Sequence, residues 1–239
     1  MKTRTTLRAA ALVLGASLAV AFPASASATP ATADNLTRVP ERTAITIIDL
    51  RTGSVTRTPN ASEPRPALSM VKLYIADYAL RHGDRSATDL DLVEQMIRYS
   101  DDFSASQLES KYPTAIDATA AEFRLTDTTA GPQWGTSFTS TNDVANFLRA
   151  KLRYDRGSPI FSWMATADRV ANDGTVQDWG TSTLPAVTGS KWGWSDMGSP
   201  MVASASVGPD FVVAASTYRP GDEQTADIAD AFATGTPKP

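Results

Sequence analysis

Strand-like segments occupy both ends of the chain, with helical segments between them, and this order limits the folds that are possible. Residues 44–50 and 54–58 are β-branched or alternating runs joined by a short turn, which predicts a hairpin. Three more strands are predicted near the C-terminus, over residues 187–194, 201–207 and 211–218. This order favours an α+β fold, in which one antiparallel sheet of about five strands is assembled from both chain ends and covered by helices.

The segments between the strands have the apolar spacing and the capping residues of helices. Residues 69–81 are apolar on most sides, which predicts a largely buried helix. Residues 222–232 predict an amphipathic helix that closes the chain. The other predicted helices cover residues 88–99, 104–111, 113–123, 140–152 and 158–164. The middle of the chain is therefore expected to form a helical lobe.

The first residues have the pattern of a removable signal peptide: three basic side chains, an apolar run and then small residues. Cleavage is predicted near Ala26 or Ala28, which would leave a secreted chain in the cell-envelope space or outside the cell. The apolar run is too short to span a membrane. We assign residues 1–28 to the signal peptide, residues 29–42 to a flexible leader and residues 234–239 to a disordered tail.

The composition excludes several kinds of chemistry. The chain has no cysteine and one histidine, His82, so neither a thiolate nucleophile, a zinc site nor a Ser-His-Asp triad is expected. A hydrolytic site would therefore need a general base other than histidine. We also expect no metal or cofactor. The formal charge is −4, and it becomes −7 when the three basic residues of the signal peptide are removed. An acidic surface argues against nucleic acid as a partner.

Ser69 and Lys72 form the only Ser-x-x-Lys in the chain. On a helix this spacing places both side chains on one face, close enough for the amine to take the hydroxyl proton. The positive end of the helix dipole would also stabilise a developing alkoxide. Lysine can act as the base only if burial or a nearby positive charge lowers its pKa. In the alternative interpretation, Ser69 caps the helix and Lys72 extends to solvent.

Two further clusters contain groups that could take part in the same chemistry. Residues 100–102, Ser-Asp-Asp, lie between two predicted helices, where a hydroxyl could pass a proton to a leaving nitrogen or simply cap a helix. Residues 191–193, Lys-Trp-Gly, lie on a predicted edge strand. There Gly193 would let a substrate backbone approach, and Lys191 would supply positive potential for an anionic substrate and lower the pKa of Lys72. Alternatively, Lys191 is an exposed strand lysine among packed tryptophans.

In combination, Ser-x-x-Lys, Ser-Asp-x and a late Lys-x-Gly resemble the active-site motifs of class A β-lactamases and penicillin-binding proteins. The resemblance covers residues 43–233, which we assign to a β-lactamase-like domain, and includes segments 66–72, 96–105 and 138–145. It implies the β-lactamase and transpeptidase fold. It also implies a serine hydrolase or acyltransferase that acts on cell-wall D-alanyl peptides, esters or β-lactams. The expected partner is thus a small-molecule or peptidoglycan-like substrate, and the oligomeric state stays open.

The resemblance also implies a role for each site residue. Ser69 would be the acylated nucleophile, and Lys72 its base or proton relay. Ser100 would be the proton shuttle, and Lys191 would orient it and attract a substrate carboxylate. The backbone N–H groups of Ser69 and Trp194 would form the oxyanion hole. The substrate-binding residues that the resemblance implies are Asp102, Trp192, Gly193 and Trp194.

Two departures from the family concern the size of the helical lobe and the turnover. The interval of 31 residues between Ser69 and Ser100 is about half of what the family usually has, so the helical lobe is expected to be shortened. Hydrolytic class A enzymes use a glutamate to activate the deacylating water, but residues 124–139 contain none, and Asp127 there suits a turn. We therefore expect slow deacylation.

Three substitutions concern the substrate. Asp102 stands where the family usually has asparagine, which removes an amide donor and adds a charge. Trp192 replaces the usual Thr or Ser, and Pro200 lies near a position where many members have arginine. These changes favour an alternative, in which the chain is a catalytically degenerate protein that binds cell-wall fragments or a secreted partner. The five tryptophans could line a groove, although packing in the core is expected for most of them.

Overall fold

The structure is a computed structural model that describes residues 36–233 of the 239-residue chain. The predicted signal peptide, the first part of the predicted leader and the predicted tail lie outside these residues. Residues 36–42, which the sequence assigns to the leader, are held on the domain by several contacts, including one at each end of the segment. Leu36 is buried in an apolar cluster on the sheet, and Arg42 donates to Asp227 at 2.7 Å. One buried leucine creates no periodicity, so the sequence pattern gave no sign of this packing.

Five of the strands within residues 36–233 form one antiparallel sheet. The strands are β1 (Thr43–Asp49), β2 (Val55–Arg57), β3 (Arg65–Pro66), β4 (Phe138–Thr139), β5 (Gly189–Trp194), β6 (Val202–Val207) and β7 (Phe211–Thr217). The order in the sheet is β2-β1-β7-β6-β5, so the first and last strands of the described residues, β1 and β7, pair with each other inside the sheet. The predicted α+β fold, with a sheet of five strands from both chain ends, is confirmed.

The helices cover both faces of this sheet. They are α1 (Lys72–His82), α2 (Ala87–Arg98), α3 (Asp102–Lys111), α4 (Ala115–Phe123), α5 (Thr141–Tyr154), α6 (Pro159–Ala165) and α7 (Gly221–Phe232). Three short 3-10 helices cover Leu68–Val71, Trp134–Thr136 and Gly180–Thr183. The predicted helices are all present. Helix α2 begins one residue earlier than predicted because Ser86 caps it, accepting from Asp89 N at 3.2 Å. None of the helices in the described part of the chain is long and apolar enough to cross a membrane.

Strand β7 shows how one sheet separates two apolar layers. Its residues Val212 and Ala214 belong to the larger cluster, with the buried residues of α1 to α6. The intervening residues Val213 and Ala215 belong to the smaller cluster, with Ile228 of α7. Side chains of a strand alternate between its two faces, so a run of small apolar residues serves both layers.

A small sheet of β3 and β4 fixes the segment that enters the first 3-10 helix. Arg65 pairs with Thr139, and Ala67 N donates to Ser137 O at 2.8 Å. This pair was not predicted, because strands of two residues have no alternation that a sequence pattern can show. It holds the segment before Ser69 next to the start of α5.

Candidate active site

Ser69 lies in the 3-10 helix Leu68–Val71, which continues directly into α1 at Lys72. The sequence predicted one helix from Ser69 onward, so the serine lies in a tighter turn than expected. The residue before it, Leu68, has φ +52°. A leucine in the left-handed region is strained, and such strain is concentrated at functional sites, where the surrounding structure holds it in place.

The hydroxyl of Ser69 opens on a cleft of about 570 Å³. The residue is 6 % exposed, and no hydrogen bond to its Oγ is formed by any residue from 36 to 233. The hydroxyl oxygen itself is not fully buried, so it keeps access to the cleft. Ser69 is therefore free to contact a ligand in the cleft.

Lys72 is completely buried and its ammonium group does not bond to Ser69. Nζ donates to the Ser100 carbonyl at 2.6 Å and to Asp102 Oδ1 at 2.5 Å, with Ser100 Oγ further away at 3.4 Å. The ring of Trp134 lies over Nζ, with its centroid 4.5 Å away. Burial lowers the pKa of Lys72, while the Asp102 carboxylate opposes that shift. Burial therefore favours the neutral amine that a general base must be, and the Asp102 carboxylate disfavours it.

Lys191 projects from β5 to the same point, and it is also completely buried. Its Nζ donates to Ser100 Oγ at 2.8 Å and to the Trp192 carbonyl at 3.2 Å. Burial, together with the charge of Lys72, lowers the pKa of Lys191 well below its ordinary value. Lys191 is therefore a buried donor to Ser100, and not the exposed lysine of the alternative interpretation.

The Ser100-Asp101-Asp102 segment combines both interpretations of its sequence. Asp101 caps α3 by accepting from Ser104 N at 2.8 Å, and it also accepts from Asn172 Nδ2 at 2.6 Å. The cap fixes the turn in which Ser100 has φ +54°. The turn holds the Ser100 hydroxyl beside two lysines. Asp101 is thus the capping residue, Asp102 lines the cleft, and Ser100 Oγ contacts the two lysines.

Gly193 allows β5 to lie directly against the turn that holds Ser69. A Cβ at this position would lie 2.7 Å from Ser69 N and 3.0 Å from Leu68 Cβ, which is closer than atoms pack. The ladder continues with Ser195 N donating to Met201 O at 2.9 Å. Since alternate residues of an edge strand face the partner strand, the N–H of Trp194 points away from β6. Ser69 and Trp194 thus present backbone groups at one edge of the cleft.

Trp192 does not reach the cleft, in contrast to what the resemblance implies. Its side chain is 7 % exposed, and the indole N–H donates to the Trp179 carbonyl at 2.9 Å. It pairs with Ser204 across the sheet and therefore lies on the face that α7 covers. The alternation of β5 explains the difference, since Lys191 and Gly193 take the face toward Ser69.

The cleft contains residues that the sequence motifs did not indicate. Trp134 and Asp196 line it together with Ser69, Asp102 and Trp194. Of the five tryptophans, which could line a groove or pack in the core, Trp134 and Trp194 line this cleft. Asp196 follows β5 by two residues, so a search beyond the end of the Lys-Trp-Gly strand could have found it.

The carboxylates of Asp102, Asp173 and Asp196 stand near the mouth of the cleft. Asp173 accepts from the Trp194 indole N–H at 2.9 Å. Partial burial raises the pKa of Asp196, and the nearby charges of Asp102 and Asp173 raise it further. Asp127, in contrast, accepts from Ser140 Oγ at 2.9 Å and so belongs to the start of α5. The described residues contain no group of three or more side chains that could hold a metal ion.

The chain is similar in fold to several solved structures, although its sequence is far from theirs. No protein-family model matches the chain, and no curated protein matches it. A class A β-lactamase from Mycobacterium abscessus superposes with a TM-score of 0.60 at 17 % identity, covering 84 % of this chain and 94 % of that one. A D-alanyl-D-alanine carboxypeptidase from Mycobacterium tuberculosis H37Rv gives 0.58 at 17 % identity, covering 87 % and 94 %. Penicillin-binding protein D2 from Listeria monocytogenes in its ampicillin-bound form gives 0.59 at 12 % identity, covering 80 % and 96 %.

Proposed function

We propose that this chain, which has the fold of class A β-lactamases and penicillin-binding proteins, is a secreted serine hydrolase or acyltransferase that forms an acyl-enzyme at Ser69. One observation carries the proposal. The Ser69 hydroxyl opens on the cleft without a hydrogen-bond partner among the described residues, beside the chain of contacts from Lys72 through Ser100 to Lys191. The substrates we propose are cell-wall D-alanyl peptides, esters or β-lactams.

In the acylation step, Ser69 Oγ attacks the acyl carbon and its proton passes to the Lys72 amine. Lys72 must be neutral to accept it, which its complete burial favours. Ser100 Oγ then protonates the leaving nitrogen or oxygen and recovers a proton from Lys72, 3.4 Å away. Lys191 holds that hydroxyl in place. The backbone N–H groups of Ser69 and Trp194 stabilise the oxyanion.

Asp102 controls how readily Lys72 becomes available as the base for Ser69. The carboxylate binds Nζ at 2.5 Å, and its side chain is 60 % exposed, so water can solvate it when the pair opens. Lys72 must leave this contact before it can reach the Ser69 proton. We expect acylation to be slower than it would be with a neutral amide at this position.

Deacylation is proposed to be slow because no carboxylate in the loop before α5 is placed to activate water. That loop contains Asp127 as its only acid, and this side chain is bonded to Ser140. An acyl-enzyme that persists can be detected by mass. Slow deacylation also gives an acceptor other than water time to enter the cleft.

Intact-mass spectrometry after incubation with a panel of penicillins tests the nucleophile. We expect the wild-type chain to gain the mass of one penicillin molecule and Ser69→Ala to gain none. Ser199→Ala is the matched control, because Ser199 also lines the cleft and its side chain is exposed. It should acylate like wild type. An unmodified wild-type chain, or an equal gain in Ser69→Ala, contradicts the proposal.

A second candidate is favoured by the ion pair of Lys72 with Asp102. If the amine never leaves the carboxylate, the site binds ligands without reacting. The chain would then be a degenerate relative that holds cell-wall fragments or a secreted partner. This candidate predicts saturable binding of a soluble muropeptide, without an adduct and with the same affinity in Ser69→Ala. Adduct formation that disappears with Ser69 counts against it.

A further inference from the structure

The charged side chains that line the cleft are all acidic. They are Asp102 and Asp196, and no lysine or arginine is among the lining residues in the described part of the chain. Lys72 and Lys191 lie underneath with no exposed surface. A ligand that enters the cleft therefore meets carboxylates before it meets any cation.

Asp196 has no direct partner for its charge among the described residues. Asp102 is paired with Lys72, whereas Asp196 forms neither an ion pair nor a hydrogen bond with any residue from 36 to 233. The residue is exposed at the mouth of the cleft, where partial desolvation and the nearby charges of Asp102 and Asp173 raise the pKa of its carboxyl. A cation in the cleft would relieve this repulsion.

Aromatic rings stand beside these carboxylates. Trp134 and Trp194 line the same cleft as Asp196. The indole N–H of Trp194 is engaged by Asp173 at 2.9 Å, so the ring face is what this residue can offer to a ligand. Indole faces attract organic cations, and Trp134 already lies 4.5 Å from the Lys72 ammonium. Carboxylates and indoles together favour an alkylammonium or guanidinium group.

The site offers little to a substrate carboxylate. Lys191, which the resemblance implies as its partner, donates instead to Ser100 Oγ at 2.8 Å and to the Trp192 carbonyl at 3.2 Å. Trp192 supplies no hydroxyl, since its side chain is buried on the other face of the sheet. A carboxylate placed here would approach Asp102 and Asp196, and like charges repel.

A second, independent observation points to a ligand in this cleft. The Ser69 side chain, more than nine-tenths buried, lines the same cavity, and its hydroxyl has no bond within the described chain. The carboxylates and rings therefore surround the place where an acyl group would meet its nucleophile.

We infer that the cleft selects acyl donors that carry an alkylammonium or guanidinium group, bound by Asp196 and the indole rings of Trp134 and Trp194, and that it does not require a free substrate carboxylate. This inference rests on the proposed acylation of Ser69. In each turnover, Ser69 Oγ forms a bond to the acyl carbon, the bond to the leaving group breaks, and the leaving group takes the proton.

Benzyl thioesters with a cationic, a neutral and an anionic side chain test the inference. They are the thioesters of N-acetylated lysine, norleucine and glutamate, each as both enantiomers. Acylation is followed by the benzyl thiol released and by intact mass. We expect the second-order rate constant to be roughly fivefold higher for the lysine than for the norleucine probe, and lowest for the glutamate probe. The preference should weaken as salt is added.

Asp196→Asn should reduce the ratio of the lysine rate to the norleucine rate about threefold. Asp222→Asn removes the same charge from an exposed position on α7 that is not among the residues lining the cleft, and it should keep the wild-type ratio. Equal rates for the three probes, a faster glutamate probe, or equal ratios in both variants overturn the inference. Those outcomes leave acylation itself intact.

If the proposed function itself is wrong, none of the probes modifies Ser69, and this result is distinct from the outcomes above. In that case the unreactive amides of the same three acids are titrated by tryptophan fluorescence. Tighter binding of the lysine amide, weakened in Asp196→Asn, still supports a cation-selective cleft. Equal affinity for all three amides overturns it.

Discussion

Gly193→Ala tests whether β5 must lie against the Ser69 turn for acylation. The added methyl group would lie 2.7 Å from Ser69 N and 3.0 Å from Leu68 Cβ. Unstrained contacts between such atoms are about 3.5 Å or longer. One backbone must therefore move by roughly 0.8 Å or more.

The strand is the part that can move. β5 is an edge strand and pairs only with β6, whereas the Ser69 turn continues into the buried helix α1. Overpacking of this kind costs about 1–3 kcal/mol of stability. A displacement near 1 Å at reacting groups reduces a rate about a hundredfold. We expect Gly193→Ala to fold, to be moderately destabilised, and to lose about two orders of magnitude in acylation rate.

The assay is the second-order rate of labelling by a fluorescent penicillin, with urea unfolding measured in parallel. Gly157→Ala is the control, because a methyl group there meets no atom within 4 Å. It should match wild type in both measurements. The reasoning is refuted if Gly193→Ala is labelled at the wild-type rate, or if Gly157→Ala loses as much activity.

Two other substitutions test the charges around Ser100. Asp102→Asn removes the contact that favours the Lys72 ammonium, so acylation at neutral pH should become about fivefold faster, from an exposed-partner ion pair of about 1 kcal/mol. The rate should also rise with pH until Lys72 is neutral, and in the variant the rise should come at lower pH; an unchanged profile contradicts the role of this pair. Lys191→Met tests the buried amine, whose pKa is lowered in the fold, so the unfolded chain binds more protons. Wild-type stability relative to this variant should therefore increase as pH rises from the lowered pKa toward the ordinary lysine range, and urea unfolding at several pH values would show a flat difference if the reasoning is wrong.

Local patterns were sufficient to predict most of the fold. The β1–β2 hairpin follows from alternation and a turn, and β5 was found in spite of its two glycines. Leu36 was missed because one buried side chain has no period. The β3–β4 pair was missed because its strands contain two residues each. These features depend on contacts between distant segments, which no window of sequence displays.

In the candidate site, too, local sequence patterns predicted some features, and others depend on tertiary contacts. The spacing of Ser69 and Lys72 and the resemblance together indicated the motif residues, and the fold places Lys72 and Lys191 on either side of Ser100. The sequence did not indicate that Lys72 would bond to Asp102, because both an ion pair and a free amine fit the same spacing. The direction of Trp192 depends on the pleat of β5 relative to α7, which is set by tertiary packing.

Mapping the site of acylation after treatment with benzylpenicillin tests the central claim most directly. Trypsin should release a peptide from Thr58 to Lys72, since the Arg65–Pro66 bond resists cleavage, and this peptide contains two serines, Ser62 and Ser69. Fragmentation of the modified peptide separates them. The account predicts one penicilloyl group, located on Ser69. An unmodified peptide, or a group located on Ser62, would contradict it.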